Sequence, residues 1–179
     1  MIFAVVGPSG AGKDTLIARA CAIRPDLRLV RRVITRPTEA GGEDFEGVSE
    51  EEFARRRAAG AFALEWQAHG LCYGLPAAQL SGKGPIVFNG SRAGLPAAIA
   101  LIPDLVVILV TAPVAVLAAR LAARGRESVE DVRARLGRAA FVLPDGIAPR
   151  VVHNDASPEE GVARFLAAIY PDSAKRSSR

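Results

Sequence analysis

The chain has 179 residues, of which 50% are hydrophobic, and a formal net charge of +4 at pH 7. This size and composition favour one globular domain with a buried core, and the two cysteines exclude a disulfide framework. No apolar run reaches about 18 residues, and the N-terminus lacks the charged and apolar regions of a secretion signal, so we expect a cytoplasmic protein without a membrane span.

Short apolar runs alternate with helical patterns along the chain. This alternation predicts an α/β fold of three layers, the P-loop NTPase type, with a five-stranded parallel sheet covered on both faces. The predicted strands are 2–6, 27–34, 85–89, 105–110 and 150–154. The predicted helices are 13–22, 92–101, 113–123, 129–142 and 158–170.

Two stretches interrupt this alternation within the single predicted domain, 1–179. Residues 35–80 form a predicted acceptor-binding insert with a short helix near 49–59, and residues from about 124 to 130 form a charged turn that we interpret as a short lid. An insert to hold the acceptor and a lid to exclude water are typical of small-molecule kinases. The predicted core is then 1–34 and 81–171, followed by a frayed tail, 172–179.

A glycine-rich loop follows the first predicted strand. Gly7, Gly12 and Lys13 match the phosphate-binding pattern G-x-x-x-x-G-K-[ST] up to its last position. Glycines let successive N–H groups point into one concavity, and a lysine there can reach the β- and γ-phosphates. The loop therefore predicts a nucleoside triphosphate site. Its predicted contacts are Gly7, Pro8, Ser9, Gly10, Ala11, Gly12, Lys13, Asp14 and Thr15.

Asp14 stands where the pattern has Ser or Thr, whose hydroxyl usually ligates Mg²⁺. A carboxylate is also a good Mg²⁺ ligand, so Asp14 could bind the ion directly or through water. Thr15 could instead supply a hydroxyl, although the helix turns it by about 100°. Asp14 could also merely cap the helix or complement its dipole. We favour Asp14 as a metal ligand because a carboxylate beside a triphosphate without metal would be repulsive.

Arginine supplies almost all of the positive charge. No aromatic-rich sheet motif or zinc spacing accompanies it, and the arginines at 55–57 follow three glutamates, which predicts a solvated helix with ion pairs rather than a nucleic-acid surface. Arginine suits phosphorylated small molecules, and phosphoryl transfer to an ionised phosphate depends mainly on cations and positioning. The candidates are Lys13, Arg36, Arg124 and Arg135 for catalysis, and Arg120 and Arg126 for nucleotide binding.

With these residues in place, the chain resembles the guanylate kinase branch of P-loop kinases. The residues that carry the resemblance span nearly the whole chain in order. They are Gly7–Lys13, Thr35-Arg36-Pro37, Asp44-Phe45, Val48–Phe53, Leu64-Glu65-Trp66 with Gly70 and Tyr73-Gly74, Arg120-Leu121, Arg124-Gly125-Arg126, Arg135-Leu136 and Val152–Asp155.

The departures from guanylate kinases concern the groups that read guanine. Of those polar side chains only Glu65 remains, while Arg32 and Leu75 stand where the resemblance leads us to expect serines. Asn89 begins the segment that replaces one containing an aspartate, and Phe45 replaces a tyrosine that helps hold the acceptor phosphate. A pocket without these polar partners discriminates guanine poorly.

The same departures resemble a second family, the ribose 1,5-bisphosphate phosphokinases, through G-P-S-G-x-G-K-D at 7–14, E-W-x-A-H-G-x-x-Y-G-L-P at 65–76 and N-G-S-R at 89–92. This resemblance implies ATP as phosphoryl donor, Mg²⁺ as metal, and phosphorylation of the 1-phosphate of ribose 1,5-bisphosphate. That acceptor has no base and carries a second phosphate, so cations at Arg32 and Arg92 become useful. The predicted substrate-binding residues are Arg32, Arg36, Phe45, Glu65, His69, Tyr73, Asn89, Ser91 and Arg92.

Two alternatives remain at this point. A guanylate or other nucleoside monophosphate kinase is disfavoured by Arg32, Leu75 and Asn89, and a non-catalytic guanylate kinase-like binding module would be expected to lose its phosphate-binding loop. Of the two histidines, His69 could touch the substrate, whereas His153 reads as a core or strand-end residue. The expected partner is a small phosphosugar and no nucleic acid, for a monomer or homodimer.

Overall fold

The computed structural model describes residues 1–37, 44–123, 132 and 142–171. In chain order, the elements are β1 (Ile2–Val6), α1 (Lys13–Ile23), β2 (Arg28–Leu29), β3 (Arg32–Ile34), β4 (Phe45–Gly47), α2 (Glu50–Ala58), β5 (Phe62–Ala68), β6 (Leu71–Pro76), a 3₁₀ turn (Ala77–Gln79), β7 (Ile86–Asn89), α3 (Leu95–Leu101), β8 (Val106–Thr111), α4 (Val114–Ala122), β9 (Arg150–His153) and α5 (Pro158–Ile169).

The central sheet has five parallel strands in the order β2-β7-β1-β8-β9, which confirms the predicted α/β fold. β1 lies in the middle of this sheet, and its side chains alternate between two hydrophobic layers. Phe3 and Val5 pack with residues of α1, α4 and α5, while Ala4 and Val6 pack with α3 and the insert. Phe3 is fully buried, and burial of such a side chain stabilises the fold by about 1.5–3 kcal/mol.

The predicted strand 27–34 is wrong as a single strand. Its first part, β2, joins the central sheet, and the Val30 amide still donates to the Val87 carbonyl at 2.9 Å. Its second part, β3, leaves that sheet and pairs with β4 and β6. Hydrophobic periodicity cannot separate one buried strand from two short strands that belong to different sheets.

The insert forms a second sheet with the order β4-β3-β6-β5, where the sequence had predicted only a helix. β3 and β4 are parallel, whereas β6 runs antiparallel to both β3 and β5. α2 lies where that helix was predicted, and Ser49 caps it because its hydroxyl accepts from the Glu52 amide at 3.1 Å.

Other predicted boundaries differ from the structure or lie outside it. α3 begins at Leu95 rather than at residue 92, with Gly94 as its N-cap. The predicted lid at about 124–130 falls outside the described residues. So does the predicted helix 129–142, except for Val132, which is buried, and Val142, which is exposed and lies outside any helix. The division into core, insert, lid and tail therefore stays a prediction.

Along the described stretches, none of the helices combines the length and the apolar character that a membrane crossing requires.

Candidate active site

The glycine-rich loop is shaped by close contact with the central sheet. Gly7 follows β1 with φ 153°, and a Cβ here would lie 2.1 Å from the Val110 carbonyl oxygen. A side chain therefore cannot fit between the loop and β8 unless the backbone moves. This is the physical reason for glycine at the first position of the pattern.

Asn154 contacts the C-terminal end of this loop, at Ala11 and Gly12. Its side-chain amide donates to the Ala11 carbonyl at 2.7 Å, and a Cβ at Gly12 would lie 2.5 Å from the Asn154 amide nitrogen. Gly12 has φ 88°, which disfavours other residues independently. Asn154 is only 7% exposed. No role was predicted for Asn154, although it lies among the residues that carry the resemblance to guanylate kinases and directly follows β9.

Lys13 opens α1 and lies across the mouth of the loop. Its ammonium group donates to the Gly7 carbonyl at 2.9 Å and to the Pro8 carbonyl at 3.2 Å. A cavity of about 250 Å³ opens beside it. The lining residues of this donor cavity are Ser9, Gly10, Gly12, Lys13, Asp14, Thr15 and Leu121.

Arg120 approaches the donor cavity from α4. One of its guanidinium nitrogens lies 3.5 Å from the Gly10 carbonyl oxygen, at the outer limit of a hydrogen bond. The structure therefore brings Arg120 next to the loop, and its role in nucleotide binding stays a prediction.

Asp14 connects the donor cavity to a second, larger cavity. This acceptor cavity has a volume of about 520 Å³ and contains Asp14 and Thr15 in its wall together with Arg32 of β3. The Asn89 side-chain amide donates to the Asp14 carboxylate from the end of β7. Donor and acceptor cavities thus share the first turn of α1. The lining of the acceptor cavity is completed by Ile17, Ala18, Arg19, Leu29, Val30, Asp44 and Asn89.

Arg32 is the buried cation of the acceptor cavity. It is 6% exposed, and its guanidinium carbon lies 5.3 Å from the Tyr73 ring centre and 5.9 Å from that of Trp66. The two rings stack on each other at 5.3 Å with an interplanar angle of 4°. Both contacts are at cation–π distance, so the stack supports Arg32. Trp66 had no predicted role of its own, although it follows Glu65 in one of the motifs that carry the family resemblance.

Glu65 lies on the opposite face of the insert sheet from Trp66. Its carboxylate accepts from the Arg57 guanidinium at 2.6 Å on the α2 side, and it is exposed. Successive side chains of a strand point to opposite faces, so Glu65 and Trp66 cannot both face the acceptor cavity. The structure therefore does not bring Glu65, a predicted substrate-binding residue, into the acceptor cavity.

His69 occupies the tip of the β5–β6 hairpin. Ala68 pairs with Leu71, which leaves His69 and Gly70 as a two-residue turn with φ 52° and 73°. A turn with two positive φ values matches the right-handed twist of a hairpin. His69 is exposed there, so the structure gives it a place in the turn and does not bring it into the acceptor cavity.

The remaining predicted acceptor residues are not part of the lining of the acceptor cavity. The guanidinium carbon of Arg36 lies 4.3 Å from the Phe45 ring centre. Phe45 is only 2% exposed, so its ring contacts Arg36 and not the cavity. The Ser91 hydroxyl accepts from the Gly94 amide at 3.2 Å, and Arg92 is exposed beside it.

Ion pairs between α2 and β4 brace the outer side of the insert. Arg56 contacts Glu46 at 2.7 Å and Glu52 at 2.6 Å. The Arg56 guanidinium lowers the pKa of Glu46. Arg55, followed by Arg56, lowers the pKa of Glu52 to about 2. These carboxylates therefore stay ionised to a lower pH than an ordinary glutamate.

Known proteins match most of the chain. The ribose 1,5-bisphosphate phosphokinase PhnN of Ruegeria sp. (strain TM1040) is 50% identical over 155 residues, which cover 85% of this chain and 80% of that protein. The chain belongs to the ribose 1,5-bisphosphate phosphokinase family.

Relatives with this kinase sequence also occur as longer proteins. The bifunctional ribose 1,5-bisphosphokinase-thymidine phosphorylase of Cupriavidus necator is 49% identical over 172 residues, which cover 93% of this chain. The chain spans only 28% of the length of that protein. No family model matches the chain.

A solved structure shares the fold of this ribose 1,5-bisphosphate phosphokinase family member. The guanylate kinase from Anaplasma phagocytophilum matches with a TM-score of 0.70 at 18% identity, over 96% of this chain and 85% of that one. At 18% identity this similarity shows a common fold and does not indicate which acceptor the chain phosphorylates.

Three of the predicted cations cannot be placed in the site. Arg124, Arg126 and Arg135 lie outside the described residues. Their predicted roles in catalysis and nucleotide binding stay predictions.

Proposed function

We propose that the chain transfers the γ-phosphoryl group of ATP to the 1-phosphate of ribose 1,5-bisphosphate, giving 5-phosphoribosyl 1-diphosphate and ADP. One observation carries the proposal beyond family membership: a single cavity reaches from Asp14 of the donor loop to the buried Arg32. Glu65, the only retained guanine-reading residue, lies on the other face of the insert sheet. The acceptor cavity therefore offers a cation for a phosphate and lacks this partner for a base.

The donor side holds the triphosphate through charge and backbone groups. The N–H groups of the loop and the N-terminus of α1 favour the phosphates, and the Lys13 ammonium neutralises charge on their oxygens. A magnesium ion, when bound, would neutralise the β- and γ-phosphates further, and the Asp14 carboxylate is the residue present that fits it. The carboxylate fits because it lies in the walls of both cavities, beside the lysine.

The acceptor side would hold the sugar bisphosphate at its far phosphate. Arg32 lines the acceptor cavity, whereas Arg92 is exposed and does not. We therefore propose that Arg32, rather than Arg92, binds the second phosphate of the substrate, at C5. Stacking on Trp66 and Tyr73 restricts the guanidinium, which lowers the entropy lost when it binds a phosphate.

The transfer itself needs little proton chemistry. An oxygen of the ionised 1-phosphate attacks the γ-phosphorus, and the bond between that phosphorus and the β-bridging oxygen breaks, so that ADP leaves. The protein contributes alignment of the two phosphates and compensation of their charge, which are the main sources of rate in phosphoryl transfer. Lys13 and the loop amides supply this compensation on the donor side.

An acceptor comparison tests the proposal directly. Purified chain, ATP and Mg²⁺ are mixed with either ribose 1,5-bisphosphate or GMP, and ADP release is followed together with the phosphorylated product. We expect turnover with the bisphosphate. Turnover with GMP alone would instead establish a nucleoside monophosphate kinase, and no turnover with either acceptor would favour a binding module. The same preparation in a sizing column decides between a monomer and a homodimer, the two states that we propose for a cytoplasmic enzyme.

A further inference from the structure

Asn89 has a buried acceptor atom that no described residue satisfies. The side chain is 7% exposed, and its Oδ1 has no hydrogen-bond donor among the residues that the structure describes. A buried acceptor left without a donor is destabilising, so such atoms are rare and usually have a functional reason. Asn89 is part of the wall of the acceptor cavity, together with Asp14 and Arg32.

Asp14 fixes which way this amide is turned. The Asn89 amide nitrogen donates to the Asp14 carboxylate, so the nitrogen side of the amide is occupied. Turning the amide around would put its oxygen against the carboxylate oxygen, which is repulsive. The Asp14 contact therefore keeps Oδ1 as an acceptor for some other donor.

We propose that Asn89 Oδ1 accepts a hydrogen bond from a ring hydroxyl of the sugar, and that this contact selects ribose over deoxyribose. The inference rests on the proposed function, since ribose 1,5-bisphosphate has two free hydroxyls, at C2 and C3, and these are its donors. A substrate that spans the cavity from Asp14 to Arg32 shares that cavity with Asn89, which contacts Asp14. A site that hydrogen-bonds a substrate hydroxyl disfavours the analogue without it, because its own buried group is then left without a partner.

The test compares three sugars on the unaltered chain. Calorimetry gives dissociation constants for ribose 1,5-bisphosphate and for its 2-deoxy and 3-deoxy analogues. We expect one deoxy analogue to bind about tenfold more weakly, the effect of one lost hydrogen bond with a buried partner. Equal affinity for all three sugars would overturn the assignment but leave the proposed function intact. Failure to bind or phosphorylate ribose 1,5-bisphosphate would overturn both.

Variants then assign the selectivity to this residue. Asn89→Leu keeps the approximate size of the side chain and removes its hydrogen-bond acceptor. The variant should bind ribose 1,5-bisphosphate as weakly as it binds the disfavoured deoxy analogue. Asn89→Ala serves the same purpose if the leucine variant is unfolded by circular dichroism. Gln67→Leu is the matched control, since Gln67 is an exposed amide on the face of β5 opposite Trp66. This variant should retain the tenfold preference for ribose.

Two outcomes of the variant experiment contradict the proposal. The first is that the folded Asn89 variants keep the preference for ribose. The second is that, compared with the unaltered chain, the variants lose the same factor in affinity for all three sugars and need more Mg²⁺ for half-maximal activity. That result would make Asn89 part of a metal site.

Discussion

The donor loop and the acceptor cavity share the first turn of α1 but are built from different parts of the chain. The loop gets its shape from the backbone, since Gly7 and Gly12 leave no room for a Cβ against Val110 and Asn154. The acceptor cavity is lined by side chains that come from two separate sheets, with Asn89 from one and Arg32 from the other. A backbone-built site suits the triphosphate that all P-loop kinases bind, while a side-chain-built site can change its acceptor by a few substitutions.

The largest expected effect is on the donor side, at Lys13. Lys13→Ala removes the cation that we propose for the transferring phosphate, and loss of one such donor lowers kcat by about 10²–10³-fold. Steady-state rates of ADP release measure the effect. Lys83→Ala is the control, because Lys83 is exposed in the segment before β7 and should keep the rate of the unaltered chain. A Lys13→Ala variant with unchanged kcat would show that the loop is not the donor site.

The next effect concerns the acceptor side. Arg32→Ala should lower kcat/KM for ribose 1,5-bisphosphate by about 10- to 150-fold, since a hydrogen bond between charged groups is worth about 1.5–3 kcal/mol. The KM for ATP should stay the same, which separates this variant from those of the loop.

Arg55→Ala is the matched control for Arg32. Arg55 is an exposed arginine of α2, whose side chain is 70% exposed. If kcat/KM fell equally in both variants, the effect would come from the net charge of the protein and not from Arg32 in the cavity.

A smaller effect is expected at Asn154, which supports the loop without facing either cavity. Asn154→Ala leaves the Ala11 carbonyl without its donor at a cost of about 1–3 kcal/mol. We expect Tm to fall by about 2–10 °C and the KM for ATP to rise, with no change in the KM for the bisphosphate. His153→Ala, at the exposed neighbouring position, is the control; if it matched the Asn154 variant in both quantities, the loop support would lie in β9 as a whole.

The smallest effect is on the outer side of the insert, and it depends on pH. The pKa of Glu52 is about 2 in the folded chain, below the value of about 4.3 of an unfolded glutamate. The ion pairs therefore stabilise the fold above about pH 4.3, and their contribution is lost as the pH falls towards 2. Glu52→Gln should lower Tm at pH 7 and shrink the difference in Tm between pH 7 and pH 3.

Glu51→Gln controls for the charge of the first turn of α2, where both glutamates lie. It should leave the pH dependence of Tm as in the unaltered chain, because no ion pair of Glu51 is among those found in the described residues. An unchanged pH dependence in Glu52→Gln would show that the Arg55 and Arg56 contacts do not contribute to stability.

Sequence patterns predicted the central sheet well and the insert poorly. β1 was predicted at its observed bounds because five apolar residues end at a glycine. β5 and β6 were missed, since their alternation is interrupted by a bulge between Phe62 and Leu64 and by a turn that contains histidine. The place of His69 in the insert predicted a possible substrate contact, and the sequence does not show that this residue lies in a turn with positive φ.

The sequence alone predicted a phosphate-binding loop in the chain. It also showed which residues differ from those expected in guanylate kinases. This was possible because the loop's chemistry is local, with glycine, lysine and the helix start adjacent in the chain. Only the tertiary structure decided that Arg32 and Asn89 share the acceptor cavity with Asp14 and that Glu65 does not. That decision depends on strand register and on which sheet β3 joins, and a shift of one residue would move every side chain to the opposite face.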